Sequence, residues 1–130
     1  MNNYLHGLGL IMACLLNTAV QAAHVCPDPL NSSLRWGEPP KPWLVNPFSS
    51  HSPQGEDDAK FVKADILVNS GLGIGVSCTY RISIGDYSIW WPVKVKRPSR
   101  QDKQWIETVS GYVCTDSFAG CEFYVALENN

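Results

Sequence analysis

Residues 75–96 read GVSCTYRISIGDYSIWWPVKVK, and their alternation decides the fold class. Val76, Cys78, Tyr80, Ile82 and Ile84 alternate with Ser77, Thr79, Arg81 and Ser83, the period-2 pattern of a strand with one buried and one wet face. Gly85-Asp86 is a turn signal between two such runs. With those residues as the loop, Ile84 faces Tyr87, Ile82 faces Ile89, Tyr80 faces Trp91, Cys78 faces Val93 and Val76 faces Val95. Every pair is apolar, so turn and pattern agree on one register. The same register sets Arg81 opposite Trp90, Thr79 opposite Pro92 and Ser77 opposite Lys94 on the wet face. Pro92 lacks an amide donor, so the second arm is expected to be a sheet edge, or bulged, near it.

On the amino-terminal side, residues 59–69 (AKFVKADILVN) predict another strand, joined to the hairpin by the glycine-rich run Ser70-Gly71-Leu72-Gly73-Ile74-Gly75. That run is not a phosphate loop, because a strand rather than a helix follows it. Residues 26–58 hold most of the prolines, which disfavour helix and central strand, yet Leu34, Trp36, Trp43, Leu44, Val45 and Phe48 are spread among them. The expectation is an ordered arm wrapped on the sheet, with short strands near 33–37 and 43–45 and an exposed polar loop over 49–58. On the carboxyl-terminal side, residues 97–104 (RPSRQDKQ) form a basic loop. Residues 105–114 and 121–127 then predict two paired strands with their hairpin tip at Thr115–Gly120. The fold class is all-β: a small antiparallel sandwich or open barrel of about five or six strands.

The first 22 residues carry an apolar core over residues 8–16 and small residues at Val20 and Ala22, the pattern of a secretory signal peptide cut after Ala22. The domain plan is therefore a signal over 1–22 and one exported β-domain over 23–130, with its proline-rich arm at 23–58 and its antiparallel sheet at 59–130. Periplasm or secretion is the expected location, with no transmembrane segment in the mature chain. Cys14 leaves with the signal. Cys26, Cys78, Cys114 and Cys121 then make an even count, which reads as two disulfides with three possible connectivities. Cys26–Cys78 and Cys114–Cys121 are the favoured pairs, the second closing the last hairpin. A net charge of −2 gives no argument for nucleic acid, and a monomer is expected.

No nucleophile with an adjacent base stands out, and Glu56, Asp57 and Asp58 read as a solvated acidic loop. No catalytic residue and no cofactor are expected. No metal is expected either, and the nearest approach to a site is a copper pair from His24 and His51. The wet face of the hairpin offers more. Arg81, Trp90, Lys94 and Lys96 would form an aromatic and basic strip suited to a protein, a glycan or an anionic lipid surface. Five of the ten basic residues fall within 94–103. The simpler reading is that Trp90 is covered and the lysines only protect a sheet edge.

Cys26-Pro27-Asp28-Pro29 after the signal, followed later by Cys78-Thr79-Tyr80, resembles a family of small exported Gram-negative bacterial proteins of unknown function. The resemblance implies an all-β exported protein and transfers no catalytic residues. The functional expectation is a non-enzymatic binding or interaction module. The alternatives are a small secreted hydrolase or hydrolase inhibitor, and a structural envelope component. A pocket enclosing two carboxylates would favour the hydrolase, and an exposed Arg81–Trp90 strip would favour binding.

Overall fold

The computed structural model describes residues 22–126, so all but the last residue of the signal peptide expected over 1–22, with Cys14, lies outside the described residues. In chain order the strands are β1 (Ala23–His24), β2 (Leu44–Val45), β3 (Lys60–Asn69), β4 (Leu72–Ile82), β5 (Gly85–Trp91), β6 (Ile106–Glu107), β7 (Gly111–Cys114) and β8 (Phe123–Tyr124). Six of them form an antiparallel sheet in the order β2-β5-β4-β3-β7-β6, and β1 pairs with β8 in a separate ribbon. After Pro92 the chain rejoins the sheet at Val95, which bridges Gly73 on one side and Val125 on the other. Val95 thereby links the large sheet to the segment that follows the ribbon, in the all-β body expected from the alternation pattern. Among the described residues no helix is long and apolar enough to cross a membrane.

The β4–β5 hairpin forms, but in another register. Ile82 pairs with Gly85, Tyr80 with Tyr87, Cys78 with Ile89 and Val76 with Trp91, so the loop is Ser83–Ile84 rather than Gly85-Asp86. The turn has moved by two residues and each pairing by four, as from Trp91 to Tyr87 opposite Tyr80. Because side chains alternate with period 2, the slide keeps the same residues on the same face. Three partners select it. Gly85 uses its freedom just after the turn, at φ +138°. The Glu56 carboxylate accepts from Ser83 N and Oγ, both at 2.9 Å. Arg81 pairs with Asp86 across the strands, Nε to Oδ1 at 3.0 Å. Ile84 is left at the exposed tip.

Pro92 consequently faces neither Thr79 nor any other ladder partner. It ends β5, and the Val93 amide turns back to the Trp91 carbonyl at 2.9 Å. Strand β5 is not the sheet edge, because β2 pairs with it through Leu44↔Trp90 and Val45↔Ile89. The tight primed turn of this chain lies elsewhere, between β3 and β4. Ser70 and Gly71 both take positive φ (54° and 79°), the type I′ signature whose twist matches the flanking strands.

The proline-rich arm is ordered, and Leu34 and Trp43 are buried in the core. The strand expected near 33–37 is instead a 3-10 turn over Ser33–Trp36. Asp28 and Ser32 cap it locally: Asp28 Oδ1 accepts from Leu30 N at 2.9 Å, and Ser32 Oγ accepts from Leu34 N at 3.2 Å. Such side-chain bonds compete with extended pairing. Two anchors fasten the arm, the Cys26–Cys78 disulfide with Cα atoms 6.0 Å apart and the Tyr80 hydroxyl donating to Pro27 O at 2.6 Å.

The carboxyl-terminal hairpin differs most. Residues 105–114 are not one strand: β6 and β7 pair with each other, and Thr108 N donates to Gly111 O at 2.8 Å to close the reversal. Strand β7 adds to β3, while β8 turns away to pair with β1. The predicted disulfide Cys114–Cys121 is present, Cα atoms 5.7 Å apart, but it joins the large sheet to the ribbon instead of closing a hairpin. Rings complete that junction. Phe123 packs at 5.8 to 6.2 Å from His24, Trp43 and Trp91, and burying an aromatic of this size stabilises by roughly 1.5–3 kcal/mol.

Candidate functional site

The four residues expected to form one strip are separated. Arg81 is held by Asp86 through two hydrogen bonds, 3.0 and 3.4 Å, and makes no stack with Trp90. Trp90 lies opposite Ser77 and Leu44 on the outer sheet face, its ring covering Gly75, and is half-buried. Lys94 is exposed and lies beyond the end of β5, so it does not face Ser77. Lys96 instead belongs to a concavity on the inner side, where the basic loop passes the β1–β8 ribbon. The Arg81–Trp90 pairing fails because the register slides, and with it the continuous strip.

The histidines are also apart. His24 is packed against Trp91 and Phe123, with ring centroids 5.2 and 5.8 Å away. The His51 ring lies against Gly85, and its Nδ1 is 3.1 Å from Asp86 O. Asp86 and Trp91 are five residues apart on β5, so the two rings sit roughly 15 Å from each other along the strand. Among the described residues no three His, Cys, Asp or Glu side chains gather as a metal site would require.

What the fold does assemble is a cleft around Arg97. Three adjoining concavities share this residue. The first, about 220 Å³, is lined by Lys96, Asp102, Trp105 and Glu122 among others. The second, about 350 Å³, adds Arg100, Glu107 and Tyr112. The third, about 120 Å³, lies against the β6–β7 turn. The second falls within the roughly 300–1,000 Å³ usual for small-molecule sites, and the first falls short of it.

Each wall has a local cause. Ser99 N and Oγ donate to Asp102 Oδ2 at 2.8 and 3.1 Å, and Asp102 N donates to Ser99 O at 3.0 Å, so the basic loop is a fixed turn. Trp105 is buried, and its Nε1 donates to Glu122 O at 2.8 Å, tying the loop to the ribbon. Tyr112 stands on β7 opposite Ile66 and Glu107. Its hydroxyl accepts from Arg97 Nε and Nη2, both at 3.3 Å. That hydrogen bond, ahead of other causes, raises the Arg97 pKa above its ordinary value.

The charges here are not neutralised by contact. The ion pairs among the described residues are Arg35–Asp57, Lys63–Asp65 and Arg81–Asp86, so Lys94, Lys96, Arg97, Arg100 and Lys103 take part in none within 4.0 Å. The cleft therefore presents cations held by neutral groups, with carboxylates near but not bonded to them. Of its lining, the sequence pointed to Lys96 and to the density of basic residues over 94–103. It did not point to Tyr112, Trp105, Glu107 or Glu122, whose role depends on β7 joining β3 and β8 joining β1. With residues 105–114 read as one strand, the sequence carried no signal that Tyr112 would face Glu107.

No curated protein and no solved structure matches the chain. The profile of one family matches residues 20–124, and the chain thereby belongs to that family, described as protein of unknown function (DUF3757).

Proposed function

We propose that this protein is an exported, monomeric, non-enzymatic binding module that holds a polar ligand with an anionic group in the Arg97 cleft. The observation that carries the reading is the position of Arg97, common to three adjoining concavities and bonded to a phenol instead of a carboxylate. A guanidinium held by a neutral acceptor is oriented yet keeps its charge for a ligand. Two disulfides, with all four cysteines fully buried, support an oxidising compartment such as the periplasm or the cell exterior. The test is titration of the full-length mature protein with sodium glucuronate and with inorganic phosphate, followed by Trp fluorescence and amide shifts. Saturable binding that Arg97→Ala abolishes supports the reading. Binding indifferent to Arg97 overturns it.

A second reading, a small hydrolase, draws on Asp102 and Glu122 lining the same cavity. Paired carboxylates across a scissile bond are the machinery of glycoside hydrolysis. Against it, the Asp102 carboxylate already serves the Ser99 turn. Turnover of an oligosaccharide that Glu122→Gln abolishes, with the fold intact, would favour the hydrolase.

A further inference from the structure

Resting on that reading, we infer that the ligand is an acidic sugar unit, one carboxylate on a polyhydroxylated ring, rather than a phosphate-dense or sulfate-dense polyanion. The Nε–Nη2 edge of Arg97 is taken by the Tyr112 oxygen, which leaves the Nη1–Nη2 edge as a second pair of parallel donors. Two parallel N–H groups match a carboxylate. Tyr112 spends its oxygen as an acceptor, and its own proton goes to no acceptor among the described residues, so the phenol is a donor available to the same ligand.

The surrounding charge then selects the class. Lys96, Arg97 and Arg100 line the larger two concavities together with Asp102, Glu107 and Glu122. Interleaved carboxylates repel a polyanion but accept hydrogen bonds from hydroxyl groups, while the cations hold a single negative charge. The whole chain carries a net charge of −2, which gives no long-range attraction for a polyanion. Pro98, half-buried at the cleft wall with the buried Trp105 behind it, adds apolar surface against which a sugar ring packs.

The experiment is calorimetric titration of the full-length mature protein, disulfides intact, with the methyl glycosides of galacturonate and of glucuronate, each carrying one carboxylate. The methyl glycosides of galactose and glucose and inorganic tripolyphosphate serve as comparison probes. A uronate should bind at least about tenfold more tightly than its neutral counterpart, as for one charged hydrogen-bonded contact. Arg97→Ala should weaken it roughly tenfold to a hundredfold, Arg97→Lys should restore part of the loss, and Tyr112→Phe should weaken it several-fold. Unchanged thermal midpoints of these surface variants establish that the loss is local. Glu107→Gln should weaken uronate binding and strengthen tripolyphosphate binding. Tripolyphosphate binding more tightly than either uronate, and lost in Arg97→Ala, overturns the acidic-sugar inference while the anion cleft stands. Uronate binding unaffected by Arg97→Ala, or no binding of any probe, overturns both.

Discussion

Tyr80 and Tyr87 face each other across the β4–β5 hairpin with ring centroids 5.2 Å apart and stacked, yet their hydroxyls have opposite fates. Tyr80 donates to Pro27 O at 2.6 Å, whereas the Tyr87 hydroxyl is buried without a hydrogen-bond partner. The two rings contribute alike to the core, so the difference between them is the polar atom. A buried hydroxyl without a partner costs about 1–3 kcal/mol, and a made bond contributes about 1 kcal/mol. Tyr87→Phe is therefore expected to stabilise the protein by about 1 kcal/mol and Tyr80→Phe to destabilise it by a similar amount. Urea unfolding of the two variants checks the sign; a loss of stability in Tyr87→Phe refutes the account.

Both phenols also set the alkaline limit. Burial pushes Tyr87 up to about 12, and Tyr80 is raised further, chiefly by burial. A folded-state value above the unfolded value of about 10 means stability is fully present below pH 10 and falls as the pH rises beyond it. Thermal midpoints between pH 8 and 12 should decline above pH 10, and less steeply in Tyr87→Phe.

Asp65 behaves in the same sense at low pH. It stands on the outer face between Ser77 of β4 and Val113 of β7, with Lys63 Nζ at 3.7 Å. Burial raises its pKa, and the Lys63 charge offsets only part of that. With the folded value above the unfolded one, near 3.9, the contribution is complete below about pH 4 and is lost as the pH rises through the folded value. Asp65→Asn mimics the protonated form. Its stability relative to the parent should grow from pH 3 to pH 7, and a difference that shrinks over that range contradicts the assignment.

Strict alternation over 76–84 correctly put Val76, Cys78, Tyr80 and Ile82 inside, since a register change by an even number of residues keeps each side chain on its face, but Ser77 and Thr79 are buried on the face read as wet and Ile84 is exposed at the turn. The loop position did not survive. Gly85 signals a turn without saying on which side of it the turn lies, and the decision rests with Glu56 and Asp86, one of them 27 residues from the Ser83 it caps. The Arg81–Trp90 strip fell with that register. The cleft was legible only as a density of basic residues over 94–103. Its opposite wall comes from β7 and β8, and the apparent hairpin 105–127 hid the fact that the chain changes partners between them. Both disulfides were readable from count and spacing. What the second one joins was not, since a seven-residue separation fits a hairpin and a sheet-to-ribbon link equally well.

Arg81 follows from the same correction. Its exposed pair with Asp86 is solvated and screened, so its contribution to stability is small. Arg81→Ala should lower stability only slightly and leave ligand affinity in the Arg97 cleft unchanged. A large loss of binding would return the site to the hairpin.

The two disulfides divide stability from function. Cys26–Cys78 spans 52 residues and Cys114–Cys121 spans 7. Loop-closure entropy then assigns about 4 kcal/mol to the first and about 2.5 kcal/mol to the second. The longer bridge fastens the proline-rich arm, none of whose residues lines the cleft, its nearest part being β1 behind the β8 wall. The shorter one holds the ribbon whose Glu122, Phe123 and Tyr124 form a wall of the first concavity. Replacing Cys26 and Cys78 by Ser should thus lower the denaturation midpoint more, while replacing Cys114 and Cys121 by Ser should weaken ligand binding more. Parallel unfolding and titration of the two double variants would show this crossing. If the variant with the larger stability loss also loses more affinity, the ribbon is not a wall of the site.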